Sequence, residues 1–472
     1  MDPVPDELLV TERPSPNARG LSAVTRYGIQ RWSDLFNTRQ KLALITFAEK
    51  VRIVHEHMAE PSDYASQYGL QTDPEFAKAV ASYLALVISR ASDFESVLGA
   101  WHPQWEFSTH AFARQALQMT WDYSELNLFS PILSGTWNSM HGQVLGVIEE
   151  LSKVGSKPAT VVQGSATEQT WPNNYFDAVL TYPPYYDNVP YADLSDFFYV
   201  LLKRTMGDFH PDLLATPLTP KSEEIIWHQR HGGSYETGKN FFEKNIARAF
   251  SEIQRVLKPD GLAVIVFAHK TTEAWETIIN ALLDAGLYMT ASWPIHTEMR
   301  ARLNAQETGS LASSIYMVCR KRTMNEVGEF PKVRKEIAER IREKLTQFWD
   351  EGIRGADFFM SAIGPAVEAF GKYARVEKLS GEPVTVAELL EYVRKVVSEF
   401  ALERIMKTAQ LGGVDAVTRY YLLYRWTYNH TRVQFDEANK LANSVGVELS
   451  ALWNAGDIVE KQKEYKIGRA HV

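Results

Sequence analysis

A single cysteine, Cys319, stands in a chain of 472 residues. An intrachain disulfide and a cysteine-based zinc cluster are therefore excluded, and a reducing cytoplasm is the expected setting. Long apolar runs are also missing. Leu262-Ala-Val-Ile-Val-Phe-Ala268 is far too short to cross a bilayer, so no membrane partner is expected. No charged-then-apolar leader opens the chain, and secretion is not expected. Excess positive charge is absent: 50 Lys and Arg face 58 Asp and Glu, a net charge of -8. That balance gives no global support for wrapping a polyanion, although one basic groove is still possible on an acidic protein. Gly-x-Gly occurs nowhere in the sequence. The glycine-rich turn by which an open α/β sheet brings its backbone against a cofactor is thus missing.

What is present is globular in character. Hydrophobic residues make up 45% and charged residues 23%, with length enough for about two to four domains. Residues 1–26, with prolines at positions 3, 5, 14 and 16, are expected to form a linker. Residues 27–157 are expected to be helical. Thr38 can cap a helix carrying Leu42, Ile45, Val51 and Val54, and Asp73-Pro74-Glu75 is a strong helix start. Phe76, Val80, Tyr83, Leu84, Val87 and Ile88 follow at helical spacing and predict a buried face. Further helices are expected over Thr109–Met119 and Asn138–Leu151.

Residues 158–323 alternate strand and helix. Strands are expected at Thr160–Gln163, Phe176–Thr181, Leu262–Phe267, Tyr288–Ile295 and Ser313–Cys319. Helices are expected at Ser195–Arg204, Phe241–Leu257 and Thr272–Asp284, with Lys258-Pro-Asp-Gly261 as a turn. Such alternation indicates a doubly wound α/β sheet. Residues 324–466 return to helix. A mixed-charge helix covers Lys332–Phe348, and the capping box Thr385-Val-Ala-Glu388 starts a helix through Ile405. Aromatics crowd Tyr420–Tyr428 and at helical spacing are read as core. The tail 467–472 can be encoded by ATC GGA AGA GCA CAC GTC, a common sequencing-adapter string, and is left out of the expected fold.

Chemistry concentrates at Thr181-Tyr-Pro-Pro-Tyr-Tyr-Asp-Asn188, where the second strand ends. The amino group of adenine is a poor nucleophile because its lone pair is delocalised into the ring. Hydrogen-bond acceptors that draw the nitrogen toward a tetrahedral form make it reactive, and the base must leave its stack to be reached. Pro183 and Pro184 can aim rigid carbonyls at such a group, and Tyr185 can offer a stacking face. Tyr182 stands where an Asp, Asn or Ser would be expected as the first acceptor. A phenol can accept a hydrogen bond but is longer and bulkier than a carboxylate. Tyr186, Asp187 and Asn188 follow closely and can line a base pocket.

From about Tyr27 to Trp453 the chain resembles adenine-specific DNA methylases of the group bearing a conserved domain of unknown function (number 1156). The likeness is densest over Tyr175–Tyr199 and continues through Arg255-Val-Leu-Lys-Pro-Asp-Gly261, Val266-Phe-Ala-His269 and Trp293-Pro-Ile-His-Thr-Glu298. In that family the residue matching Tyr182 is Asp. The resemblance implies an α/β fold: a partial Rossmann-like methyltransferase sheet with large helical flanks. It also implies S-adenosylmethionine as cofactor, DNA as substrate, and a restriction-modification or anti-phage setting. Family members carry their glycine-rich turn in an N-terminal half, so an upstream half is an expected partner. Without the first strands, the strand before Tyr182 is expected to leave an unpaired edge.

Gly164 and Ser165 follow a strand and can contribute to the cofactor site, although a plain turn fits them equally. Asp193 and Asp196 are read chiefly as helix caps, His269 as a structural histidine at a strand end, and Lys203, Arg204 and Lys221 as surface charge. His228 and His231 lack an acid-rich partner set, and no metal is expected. Two other functions compete with adenine methylation. One is a catalytically silent DNA-binding fragment or subunit, and the other is methylation of RNA or a protein glutamine.

Overall fold

The computed structural model describes residues 4–11, 23–60, 63–69, 72–104, 106–112, 116–131, 134–155, 157–184, 189–269, 272–296, 313–323, 325–406, 414–428, 433, 435–453, 460–461 and 468–469. The chain divides into two units, Met1–Val162 with Asp187–Lys239 and Gln163–Tyr186 with Asn240–Val472. The expected boundaries shift accordingly. A stretch expected in the α/β region joins the first helical unit, and the C-terminal helices join the unit that holds the sheet.

The first unit contains α1 (Thr38–Ala59), α2 (Asp63–Tyr68), α3 (Pro74–Phe94), a small antiparallel pair β1 (Trp101–His102) and β2 (Phe107–Ser108), α4 (Trp137–Ser152) and α5 (Tyr191–Met206). Asn37, rather than Thr38, caps α1, because Asn37 and Gln40 exchange hydrogen bonds of 2.9 Å in both directions. Asp73 caps α3 as expected, accepting the Phe76 amide at 2.8 Å. The buried stripe of α3 differs from the expected one. Val87 and Ile88 are buried as expected, but Phe76 and Tyr83 are exposed, and Ala77, Ala81 and Ala85 are buried instead. Small side chains on that stripe let α1 and α3 pack closely.

Three further expectations change in this unit. Thr109–Met119 forms no helix among its described residues. The buried Asp93 carboxylate bonds His110 Nδ1 at 3.1 Å and accepts the Phe112 amide at 3.3 Å, while the Asp93 carbonyl accepts the Ala111 amide at 2.8 Å. These bonds anchor the segment to the end of α3, and its described residues run as turns and extended chain. Thr160–Gln163 forms no strand either, and Val161 is 90% exposed. Residues 4–11, expected as linker, are fastened instead: Leu9 is buried, its amide bonds the Gln30 carbonyl at 2.8 Å, and Glu7 pairs with Arg204 at 3.1 Å.

In the second unit the chain runs through β3 (Phe176–Thr181), α6 (Tyr235–Val256), β4 (Leu257–Phe267), α7 (Thr272–Asp284), β5 (Leu287–His296) and β6 (Ser313–Lys321). A short parallel pair follows, β7 (Val327–Glu329) with β8 (Arg375–Glu377), and with it α8 (Phe330–Asp350), α9 (Gly355–Ser361), α10 (Ile363–Gly371), α11 (Val386–Met406), α12 (Ala416–Tyr428) and α13 (Phe435–Ser444). The chain is thus of mixed α/β class. Thr385 and Glu388 form the expected box at the start of α11, with bonds of 2.9 and 3.2 Å. Tyr420 and Tyr424 are buried, as core aromatics should be, with Leu423 buried beside them.

The main sheet has the order β3-β4-β6-β5. β3 and β4 are parallel, while β6 runs antiparallel to both of its neighbours. Between Phe176↔Leu257 and Ala178↔Leu262 the register jumps, so Lys258–Gly261 bulges out opposite Asp177. The expected turn is therefore a bulge inside one strand. A Cβ at Gly261 would lie 2.9 Å from the Asp177 carbonyl, which explains the glycine, and Lys258 Nζ reaches the Asp177 carboxylate at 2.6 Å.

β3 is the edge of this sheet, and no strand pairs with its outer side among the described residues. The two faces are unequally covered. Ala263, Ile265, Phe267, Ile315, Met317 and Cys319 alternate onto one face and are buried. On the other face Leu180 is 77% exposed, Trp293 55% and Ile295 43%.

Candidate active site at the carboxyl end of the sheet

Because β3, β4 and β5 share one direction and β6 opposes them, their carboxyl ends meet the amino end of β6. Ligands collect at this end of open α/β sheets. The register aligns Thr181 with Ile265, and two residues further on Phe267 with Ile315. Tyr182, Pro183, His269 and Ser314 are thereby brought to the same end. Pro183 is buried and Tyr182 is 54% exposed. The Tyr182 hydroxyl lies 3.5 Å from the buried Ser314 hydroxyl. A proline pair directly after β3 fixes the backbone, so the carbonyl direction there is set by the strand.

His269 is buried beside Phe267, with ring centroids 6.3 Å apart, and its carbonyl accepts the Trp275 indole N–H at 2.9 Å. Tyr185, Tyr186, Asp187 and Asn188 lie outside the described residues. Ser165 opens an exposed turn closed by its bridge to Glu168, and Gly164 precedes that turn in exposed, irregular chain. The Ser165 hydroxyl accepts the Thr167 amide at 3.2 Å and lies 2.9 Å from the Thr167 hydroxyl. A Cβ at Gly164 would meet nothing within 4 Å, so the turn forms no close cradle. By themselves these two residues do not fit a nucleoside cofactor.

Within the first unit, the charged residues that follow the motif form a buried network. Asp193 pairs with Arg230, and Asp196 with Lys221 at 2.8 Å. Glu224 accepts the Ala192 amide at 2.8 Å. Burial raises both the Asp193 and Glu224 carboxyls above their ordinary range, against the pull of Arg230. The expected caps are thus internal ion pairs. The expected surface charges are also engaged: Lys203 donates to the Ala215 carbonyl at 3.0 Å, and Arg204 is buried against Glu7. His228 and His231 are buried near Arg230, and no group of three His, Cys, Asp or Glu side chains is arranged for a metal among the described residues.

Ser314, Glu224 and Arg230 are not singled out by sequence reasoning. Ser314 opens a strand whose antiparallel placement is not encoded by spacing, and nothing in its neighbourhood in the sequence points to Tyr182. Arg230 and Glu224 sit in a stretch with no periodicity, so their pairing to α5 has no local signature. Compared with protein-family models, curated proteins and solved structures, the chain matches none.

Proposed function

We propose that this chain is the catalytic half of an S-adenosylmethionine-dependent DNA methyltransferase acting on the N6 amino group of adenine. The setting we propose is cytoplasmic restriction-modification or phage defence. One observation carries the reading: Tyr182-Pro183-Pro184 emerges from the carboxyl end of β3, parallel to β4, where open sheets bind ligands. In this reading the sheet is part of a Rossmann-like methyltransferase sheet.

The chain's own task is to hold the flipped base. The Pro183 carbonyl and the Tyr182 phenol oxygen accept hydrogen bonds from the amino group, drawing its nitrogen toward a tetrahedral form. The Ser314 oxygen can accept a hydrogen bond from the phenol O–H, which leaves the Tyr182 lone pairs directed at the base. Tyr185 stacks on the base, while Tyr186, Asp187 and Asn188 border it. Gly164 and Ser165 form no cradle, so the methyl donor is held chiefly by an upstream half with a glycine-rich turn.

A second reading is favoured by Tyr182 itself: a silent DNA-binding subunit, since the family's first acceptor is Asp. Transfer of tritium from labelled S-adenosylmethionine to duplex DNA separates the two. The chain alone should be inactive, the chain with the upstream half active, and the Tyr182→Asp pair at least as active. Transfer by the Tyr182→Asp pair alone establishes the silent reading. No transfer by any of the three removes the methyltransferase assignment.

A further inference from the structure

Helix α7 begins shortly after His269, at the carboxyl end of β4. A helix leaving that end of a strand in an open sheet points its unbonded N–H groups toward the ligand end, where an anion is favoured. In this unit the place is filled from within the chain. Glu437, on α13, accepts hydrogen bonds from the Thr272 amide and the Thr272 hydroxyl, both at 3.3 Å. Its charge is matched by Arg394, on α11, which donates to Glu437 at 3.2 Å and to the Thr272 hydroxyl at 2.7 Å. Lys440 stands 3.3 Å from the same carboxylate. The Arg394 and Glu437 side chains are only 10% and 9% exposed. The first turn of α7 in turn holds the strand end, because Trp275 is buried and its indole N–H donates to the His269 carbonyl at 2.9 Å. A chain of hydrogen bonds and packing thus runs from α11 and α13 through α7 to His269.

We infer that Glu437 and Arg394 are positioning residues for the candidate site. The Glu437 carboxylate takes the place of a bound anion at the amino end of α7. With Arg394 it fixes the β4–α7 corner, and so keeps His269 at the carboxyl end of the sheet. A buried ion pair is a weak source of net stability, and its use here is to select one arrangement of the three helices it joins. The chemistry served at that end rests on the methyltransferase reading above. The placement of His269 does not, so a test of placement separates failure of the one from failure of the other.

That test follows the Trp275 indole hydrogen of the full chain by NMR. Trp275→Phe assigns its signal, and the backbone amides of the β4–β6 ladder serve as reference. Glu437→Ala should speed exchange of the indole hydrogen at least about tenfold while the ladder amides keep their rates, because the corner opens locally. Excess formate should bring the rate back to within about twofold of the parent by refilling the carboxylate place, and chloride at equal concentration should not. Glu437→Gln keeps the shape and one acceptor oxygen but loses the charge, and its rate should fall between the two. Unchanged indole exchange in Glu437→Ala, equal acceleration of the indole and the ladder, or no recovery with formate would overturn the inference. Should Glu437→Ala not fold, Glu437→Gln decides alone: acceleration confined to the indole supports the inference, and a parent-like rate overturns it.

Discussion

The Tyr182 hydroxyl lies 3.5 Å from the Ser314 hydroxyl, joining the end of the edge strand β3 to the start of β6 across the carboxyl end of β4. At that length the bond is weak, so its value is orientation and not stability. Ser314→Ala should change the urea unfolding free energy by less than about 1 kcal/mol. In the active pair it should lower transfer several-fold, because the phenol proton is then free to point at the base. An equal loss in Tyr182→Phe and in the double substitution would show that the two hydroxyls act together.

Glu95 gives the first unit a pH response. The side chain is 2% exposed, and burial, reinforced by the charge of Glu125, pushes its carboxyl up to about 7. Its folded pKa is raised, so the associated stability is complete below the unfolded value and is lost as pH rises through 7. The expected loss between pH 4.5 and 8 is on the order of 3 kcal/mol. Glu95→Gln should be more stable than the parent at pH 8 and nearly equal to it at pH 4.5, as read by thermal melts.

His228 acts on the opposite limb. Burial, then Arg230, then His231, lowers its pKa to about 4, and Nδ1 accepts the Arg230 amide at 3.0 Å. Protonating Nδ1 breaks that bond. The folded pKa of this base is depressed, so stability is present above about 6.5 and is lost as pH falls toward 4, by on the order of 3 kcal/mol. His228→Asn keeps an acceptor and should flatten this acid limb in unfolding curves taken from pH 7 to pH 4.

Packing in the second unit is tested at Gly364. A Cβ added there would fall on the Ser292 side chain, where α10 lies against β5. Gly364→Ala should cost about 1–3 kcal/mol through overpacking. Adding Ser292→Gly should restore part of that loss in the same chemical unfolding experiment.

The local signals in the sequence were largely readable. Thr272–Asp284 forms the expected helix, and the Thr385–Glu388 box starts α11. The misreadings share a physical cause, which is dependence on partners distant in sequence. Thr109–Met119 is fixed to Asp93, distant in sequence, through the Ala111 and Phe112 amides. Thr160–Gln163 has a strand composition but finds no strand to pair with among the described residues. Asp193 and Asp196 sit where caps belong, yet Arg230 and Lys221 draw them into ion pairs. Of the site, the proline pair at the end of β3 was legible because its chemistry is local. The contact with Ser314 was not, because it depends on where the last strand inserts.

The most direct measurement is the mass of the modified nucleoside. DNA from cells lacking other adenine methylases, and expressing this chain with its upstream half, is digested and examined by mass spectrometry. N6-methyldeoxyadenosine is the expected product, lost on Tyr185→Ala. No methylated adenine from either the Tyr182 or the Tyr182→Asp pair, or methyl groups found only on cytosine, would contradict it.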